Sequence, residues 1–319
     1  MSARIRSGWK RAAGFVFAAA AFLFLGFFVV RNAEQLRNYS WSIRPALLAA
    51  SVAVNIIGLA LGVAAWQLVL RKMDRPVEYL PLARVWFVSG LGRYIPGKIW
   101  QFVGAAHLGG LAGLEPVTTV SSLALQNGFF IIGAALTAVY LLPAEAVEYV
   151  GPALGVLPWI APLLLLLAHP ALISRVIRVA RRASSRSMAG WTGSWMDGIV
   201  VVLLAAVAWA ITGAGLYLFV VSLTPINDAG VANLIGINAL SFVIGYAVFV
   251  APAGLGAKEV SLTALLTLYM PAPVAALIAV AARLWMVAGE VIPALLLLPR
   301  RGSSERTANA AEAVSPPST

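Results

Sequence analysis

Residues 45–70 read PALLAASVAVNIIGLALGVAAWQLVL, an unbroken run without a charged side chain. The hydrocarbon core of a bilayer is about 30 Å thick, and roughly 20 helical residues cross it. This run therefore decides the fold class: it is a membrane span. Similar charge-free runs cover Ala12–Val30, Val117–Leu142, Pro152–Ala168, Gly198–Leu223 and Gly230–Ala251, and another apolar run, Val274–Leu298, carries only Arg283 and Glu290. The pattern predicts an all-α, polytopic integral membrane helical bundle with about 7–8 transmembrane helices.

Composition agrees. Of 319 residues, 61% are hydrophobic and 11% charged, and mean hydropathy is +0.89. The net charge of +11 does not point to nucleic acid, because the Lys and Arg residues sit between the apolar runs, as a topogenic bias requires. With no Cys and only His107 and His169, neither a disulfide framework nor a thiolate or His-cluster metal site is available, and no cofactor is expected. Arg4, Arg6, Lys10 and Arg11 precede the first run as in a signal peptide, but that run is long enough to span and Arg31 follows it. The reading is a retained signal anchor with a cytoplasmic N-terminus, in a bacterial inner (plasma) membrane.

The cations fix the expected sidedness. Groups at Arg4–Arg11, Arg71–Arg84, Arg175–Arg186 and Arg300–Arg306 hold 16 of the 23 Lys and Arg residues and fall on one side, with Arg31, Arg37 and Arg44 on the other. For this parity to hold, the stretch 85–113 must leave and return on the same side. Its 29 residues are too few for two crossings, which need about 40. It is also broken by Gly90, Gly92, Pro96, Gly97, Gly104, Gly109, Gly110 and Gly113. A re-entrant helix pair turning near Pro96-Gly97 is expected. The stretch 254–270 is either a short full crossing or a second re-entrant element, and placing Arg300, Arg301 and Arg306 inside favours the crossing.

Two broken stretches carry the chemistry: Gly92-Arg93-Tyr94-Ile95-Pro96-Gly97-Lys98-Ile99-Trp100, and Pro252-Ala253-Gly254-Leu255-Gly256-Ala257-Lys258-Glu259. Non-helical backbone at membrane depth survives only where protein or a wet cavity satisfies it, and paired Gly/Pro-broken segments in two halves of a chain point to a transporter's central site. Each would end at a helix start, where free N–H groups, the helix dipole and Lys98 or Lys258 favour an anion such as a phosphate headgroup. The bland alternative has Arg93 and Lys98 snorkelling to the interface, with Tyr94 and Trp100 as belt aromatics. Arg283 and Glu290 lie seven residues apart on one helical face, about 10 Å along the axis, so each needs another partner. Pairing Arg283 with Glu259, and Glu290 with Lys258 or Arg93, would neutralise them. The candidate headgroup contacts are thus Arg93, Pro96, Gly97, Lys98, Gly254, Gly256, Lys258, Glu259, Arg283 and Glu290.

Elsewhere, Asn55, Gln126, Asn127, Asn233 and Asn238 read as interhelical hydrogen-bonding residues, with Gln126-Asn127 a possible cavity lining. Arg175, Arg178, Arg182 and Arg186 recur at helical spacing in the basic cytoplasmic loop 170–197, either as an interfacial helix or as an ordinary topogenic loop. Residues 1–299 read as a single transmembrane domain and 300–319 as a disordered tail. No catalytic motif or nucleotide site is visible, so the chain is not read as an enzyme, and any net transport would run downhill or on an ion gradient.

At its two broken motifs the chain resembles the lysylphosphatidylglycerol synthase transmembrane-region family, the membrane part of bacterial lipid-aminoacylating proteins, also found as stand-alone proteins. The matching residues are Arg93 to Trp100, Pro252 to Glu259, and then Arg283 and Glu290. The second motif commonly reads Pro-Gly-Gly-Leu-Gly-x-(Arg/Lys)-Glu in that family. Ala253 replaces a glycine here, and Lys258 stands where Arg is frequent. With no aminoacyltransferase domain following residue 299, the resemblance implies lipid handling without lipid synthesis: flippase-like movement of a phospholipid or other phosphate-bearing lipid between leaflets. The alternative is a non-transporting membrane partner of a separate glycosyl- or aminoacyl-transferase, presenting lipid-linked substrate.

Overall fold

The computed structural model describes residues 23, 26–28, 30–94, 99–150, 155–183, 190–226, 229–247 and 256–298. The first apolar run, the tail from 299 and the motif residues Pro96, Gly97, Lys98 and Gly254 lie wholly or largely outside them. Among the described residues the regular structure is helical throughout. Four helices are long and apolar enough to cross a membrane: α2 (Pro45–Arg71), α5 (Pro116–Leu141), α9 (Trp195–Leu223) and α12 (Ala272–Leu297). Pro45 and Pro116 open α2 and α5, where the missing N–H costs nothing and the fixed φ suits a first turn. A short α1 (Ala33–Arg37) precedes α2.

The antiparallel pair α2 and α9 is the spine. At one end Ser42 and Arg44 N–H groups donate to the Leu223 and Ser222 carbonyls at 3.0 and 2.8 Å. At the other, the Thr192 N–H donates to the Lys72 carbonyl at 2.8 Å and Lys72 Nζ lies 2.9 Å from Asp197 Oδ1. Asp197 also closes a capping box with Ser194, accepting its N–H at 2.7 Å. This second end, with Arg71, Lys72 and Arg75, is the basic end. Trp66 Nε1 donates to Ser122 Oγ at 3.0 Å, so α5 starts at the basic end as well. Trp285 Nε1 donates to Ser51 Oγ at 3.0 Å, and Arg84 Nε donates to the Leu297 carbonyl at 2.8 Å. Helix α12 therefore runs parallel to α2 and finishes at the basic end.

Between the spans lie two hairpins of short helices. The first joins α3 (Tyr79–Gly90) and α4 (Trp100–Leu111) through a 3-10 turn at Leu91–Tyr94. At 12 residues each, these helices reach about 18 Å. Helix α3 begins beside α2 at the basic end, where Gln67 Nε2 donates to the Val77 carbonyl at 2.8 Å. At its far end α4 packs Gly109 on Thr119 of α5, so the pair returns to where it started. Its first helix begins six residues ahead of the Val85 read from sequence.

The second hairpin joins α10 (Val231–Ala247) to α11 (Ala257–Leu266), about 26 and 15 Å long. It starts from the opposite end, after Leu223, and Asn233 Nδ2 donates to Tyr269 Oη at 2.9 Å, which brings the chain back to that end. The sequence reading took the run 230–251 as a crossing and 254–270 as either a short crossing or a re-entrant element. At 17 and 10 residues, α10 and α11 are each shorter than the roughly 20 helical residues a crossing takes, and one hairpin or two crossings leave the parity that places residue 297 at the basic end unchanged.

The run Pro152–Ala168 also differs from a plain α-helical span. It holds α7 (Leu157–Ile160) followed by a 3-10 helix, Ala161–Ala168, with Pro158 and Pro162 in the first turn of each. The 3-10 rise of about 2.0 Å stretches these 12 residues to about 22 Å. Tyr140 Oη donates to the Pro158 carbonyl at 3.0 Å and Trp195 Nε1 to the Leu165 carbonyl at 3.0 Å, so the segment runs from the opposite end to the basic end. The short α6 (Ala144–Val150) precedes it, and α8 (Pro170–Ala183) follows it.

Candidate functional site

The two hairpins enter from opposite ends, and their tips converge on the middle of α12. On the basic-end hairpin, the 3-10 turn projects Arg93, whose Nε donates to the Gly90 carbonyl at 2.9 Å and whose guanidinium lies 5.9 Å from the Trp86 ring centroid. Arg93 Nη1 meets Glu290 Oε1 at 3.1 Å, and Tyr94 Oη donates to Glu290 Oε2 at 3.1 Å. Both carboxylate oxygens of a side chain that is 6% exposed are thereby satisfied, as a charge at this depth requires.

The other tip is built on Gly256, whose φ of +88° lies where a side chain is strained and glycine is not. Its N–H donates to Glu259 Oε2 at 2.7 Å, which is the backward half of a capping box; glycine has no side chain to supply the forward half. Glu259 Oε1 then meets Arg283 Nη1 at 3.3 Å. Helices α10 and α11 approach closely at Gly245, where a Cβ would come within 2.9 Å of Lys258 Cβ. From this close contact the Lys258 side chain extends to α12, where its Nζ reaches Met286 Sδ at 2.9 Å.

The sequence left Glu290 a choice of two cations, and the structure gives it to Arg93; Arg283 pairs with Glu259. Lys258 is 5% exposed and forms no ion pair among the described residues. A thioether is a weak acceptor. Arg283 Nη2 is likewise buried without a hydrogen-bond partner among them, and its guanidinium lies 5.2 Å from the Tyr94 ring centroid. Lys258, Glu259, Arg283 and Met286 line one small pocket, closed on its apolar side by Leu262, Ala279 and Ala282. Among the described residues, three cations, Arg93, Lys258 and Arg283, face two carboxylates, Glu259 and Glu290, at these tips.

Of the ten residues singled out from sequence, Arg93, Gly256, Lys258, Glu259, Arg283 and Glu290 come together here, while Pro96, Gly97, Lys98 and Gly254 lie outside the described residues. Sequence reasoning missed Tyr94 and Met286. Tyr94 entered only as a belt aromatic in the bland alternative and Met286 was not singled out, although Met286 sits three residues after Arg283 and four before Glu290, on the same helical face. Gln126 is buried, with its Oε1 unpartnered among the described residues, while Asn127 is half-buried.

Long apolar spans, with shorter helices paired between them and a buried charge cluster where those pairs meet α12, define a polytopic helical membrane protein. The chain belongs to the family described as Lysylphosphatidylglycerol synthase TM region, whose sequence model matches residues 11–294. No curated protein compared with it matches.

Proposed function

We propose that the protein moves a phosphate-bearing lipid between leaflets, holding the headgroup at the meeting point of the hairpins while the acyl chains stay in lipid. One observation carries this reading. Two buried donor groups line one pocket: Lys258 Nζ, which forms no ion pair among the described residues and reaches Met286 Sδ, and Arg283 Nη2, left without a hydrogen-bond partner among them while Nη1 of the same guanidinium pairs with Glu259. A phosphodiester would supply the missing acceptor oxygens and the missing negative charge.

In this reading both hairpins are re-entrant, the basic end faces the cytoplasm together with the N-terminus, and the membrane is the bacterial inner membrane. The arginine and lysine distribution supports that orientation. The two ion pairs then act as gates. Along α12, Arg283 sits about 10 Å nearer the outer end than Glu290. Parting Arg283 from Glu259 frees the outer hairpin, and parting Glu290 from Arg93 frees the inner one. A headgroup phosphate that competes for Arg283 and Lys258 lowers the cost of the first opening. The reading needs no covalent step, and the driving force is a lipid or ion gradient.

The test is leaflet exchange of fluorescent phospholipids in proteoliposomes. Exchange well above protein-free vesicles, lost in Lys258→Met, is the expected result. Exchange equal to empty vesicles for every phosphate-bearing lipid tried, with folded protein in the membrane, overturns it and returns the chain to the role of a partner for a separate transferase.

A further inference from the structure

Away from the pocket, at the basic end, α8 follows directly on the 3-10 segment. Its 14 residues, PALISRVIRVARRA, divide sharply around the axis. At 100° per residue, Ile173 and Ile177 fall on one arc, with Arg175 and Arg178 centred about 150° away. Ile173 and Ile177 are 2% and 6% exposed and belong to the main core, which pins the helix to the bundle. Leu172, on a third arc, is exposed, as are Arg175 and Arg178. Neither arginine forms an ion pair among the described residues. No Asp or Glu occurs anywhere from 149 to 196, and Asp197 is committed to Lys72.

The depth of α8 follows from its first contacts. The His169 ring packs 5.7 Å from that of Trp195. Trp195 is a half-exposed indole whose N–H is tied to the Leu165 carbonyl, and the exposed Met196 follows it. A tryptophan so placed, apolar body outward and N–H anchored, marks headgroup level. We infer that α8 is a docking surface for anionic lipid headgroups, with Ile173 and Ile177 held by protein, Leu172 against acyl chains and Arg175 and Arg178 among lipid phosphates. This site is separate from the pocket at Lys258 and does not depend on what the bundle carries. It would keep a layer of anionic lipid beside the 3-10 segment and α9.

The absence of native cysteine makes the test direct. Leu172→Cys, labelled with a small fluorophore, is reconstituted into phosphatidylcholine vesicles containing equal fractions of either brominated phosphatidylglycerol or brominated phosphatidylcholine. Quenching by the brominated phosphatidylglycerol is expected to exceed that by the phosphatidylcholine about twofold or more. The difference should disappear in Arg175→Gln/Arg178→Gln and shrink at high salt. Equal quenching by the two lipids in the parent protein overturns the proposal. So does no quenching by either, the outcome expected if α8 faces a protein partner. The parent comparison needs no arginine variant, so it decides the matter even where the double variant folds poorly.

Discussion

Glu259 Oε1 lies 3.3 Å from Arg283 Nη1, and this contact joins a hairpin entering from one end of the bundle to the helix that also receives the hairpin from the other end. The pair is almost wholly buried, at 2% and 11% side-chain exposure. A buried pair adds little net stability against an apolar replacement, but removing one partner strands the other and costs about 3–5 kcal/mol. Glu259→Ala should therefore lower thermal stability in detergent markedly, because it strands Arg283 and also removes the acceptor of the Gly256 N–H. Glu259→Gln should lie between the two, since its amide oxygen still caps Gly256. Equal melting of all three proteins would show that the cluster contributes nothing to the fold.

Lys258 behaves oppositely. With Met286 Sδ as the hydrogen-bond partner of its ammonium and no ion pair among the described residues, Lys258→Met removes a buried charge that no directly paired carboxylate there neutralises, and the apolar side chain fills similar volume. Thermal stability should stay level or rise, while lipid exchange falls at least about tenfold. Lys258→Arg should retain part of the activity. A Lys258→Met protein that exchanges lipid at the parent rate would remove this residue from the site.

Arg93, Tyr94 and Glu290 form one unit, so their substitutions should not add. In a double-mutant cycle of Arg93→Gln and Glu290→Gln, read by thermal or denaturant unfolding, the coupling should reach about 1–3 kcal/mol. Tyr94→Phe leaves one carboxylate oxygen of Glu290 without its donor and should cost about 1–3 kcal/mol. A coupling near zero would mean that Arg93 and Glu290 meet without depending on each other.

How much of this was legible in the sequence varies with the range of the interactions. Helices α2, α5, α9 and α12 could be read to within three residues because a long apolar run with few or no charges is a local signal, sharpened in α2 and α5 by an N-terminal proline. The Arg283–Glu259 pair could be read because unpaired charge at depth is too costly to leave. The outer hairpin could not. Residues 230–251 are long enough to cross, and what marks the pair as a hairpin is the meeting of Glu259, just past its tip, with Arg283 in the middle of α12, 24 positions on. The 3-10 stretch from Ala161 to Ala168 was hidden for a related reason: its composition is that of any apolar helix, and only the path between Tyr140 and Trp195 requires the longer rise. Tyr94 and Met286 carry no charge to announce them.

The paired hairpins make a prediction about sidedness that departs from the sequence reading only at the tip between α10 and α11. Arg75→Cys at the basic end and Ala112→Cys, just past α4, should react with a membrane-impermeant maleimide from the same side of a sealed vesicle. Ala112 follows a helix that returns to its starting end, as the contact between Gly109 and Thr119 requires. Thr267→Cys, exposed just past α11, should react only from the other side, because Tyr269 is held beside Asn233 at the start of α10. The full crossing read from residues 254–270 also puts position 267 on the outer side, so that residue alone does not separate the two topologies. The turn between α10 and α11 does. A full crossing by the run 230–251 would carry it to the basic end, whereas the hairpin holds its described flank, from Gly256 to Glu259, at the depth of Arg283. Cysteines placed singly at Ala247, which ends α10, and Ala257, which opens α11, should resist the impermeant reagent from the basic side under conditions in which Arg75→Cys reacts fully. Fast labelling of either from that side would establish two crossings in place of the outer hairpin and separate the two tips that the proposed gates require to meet.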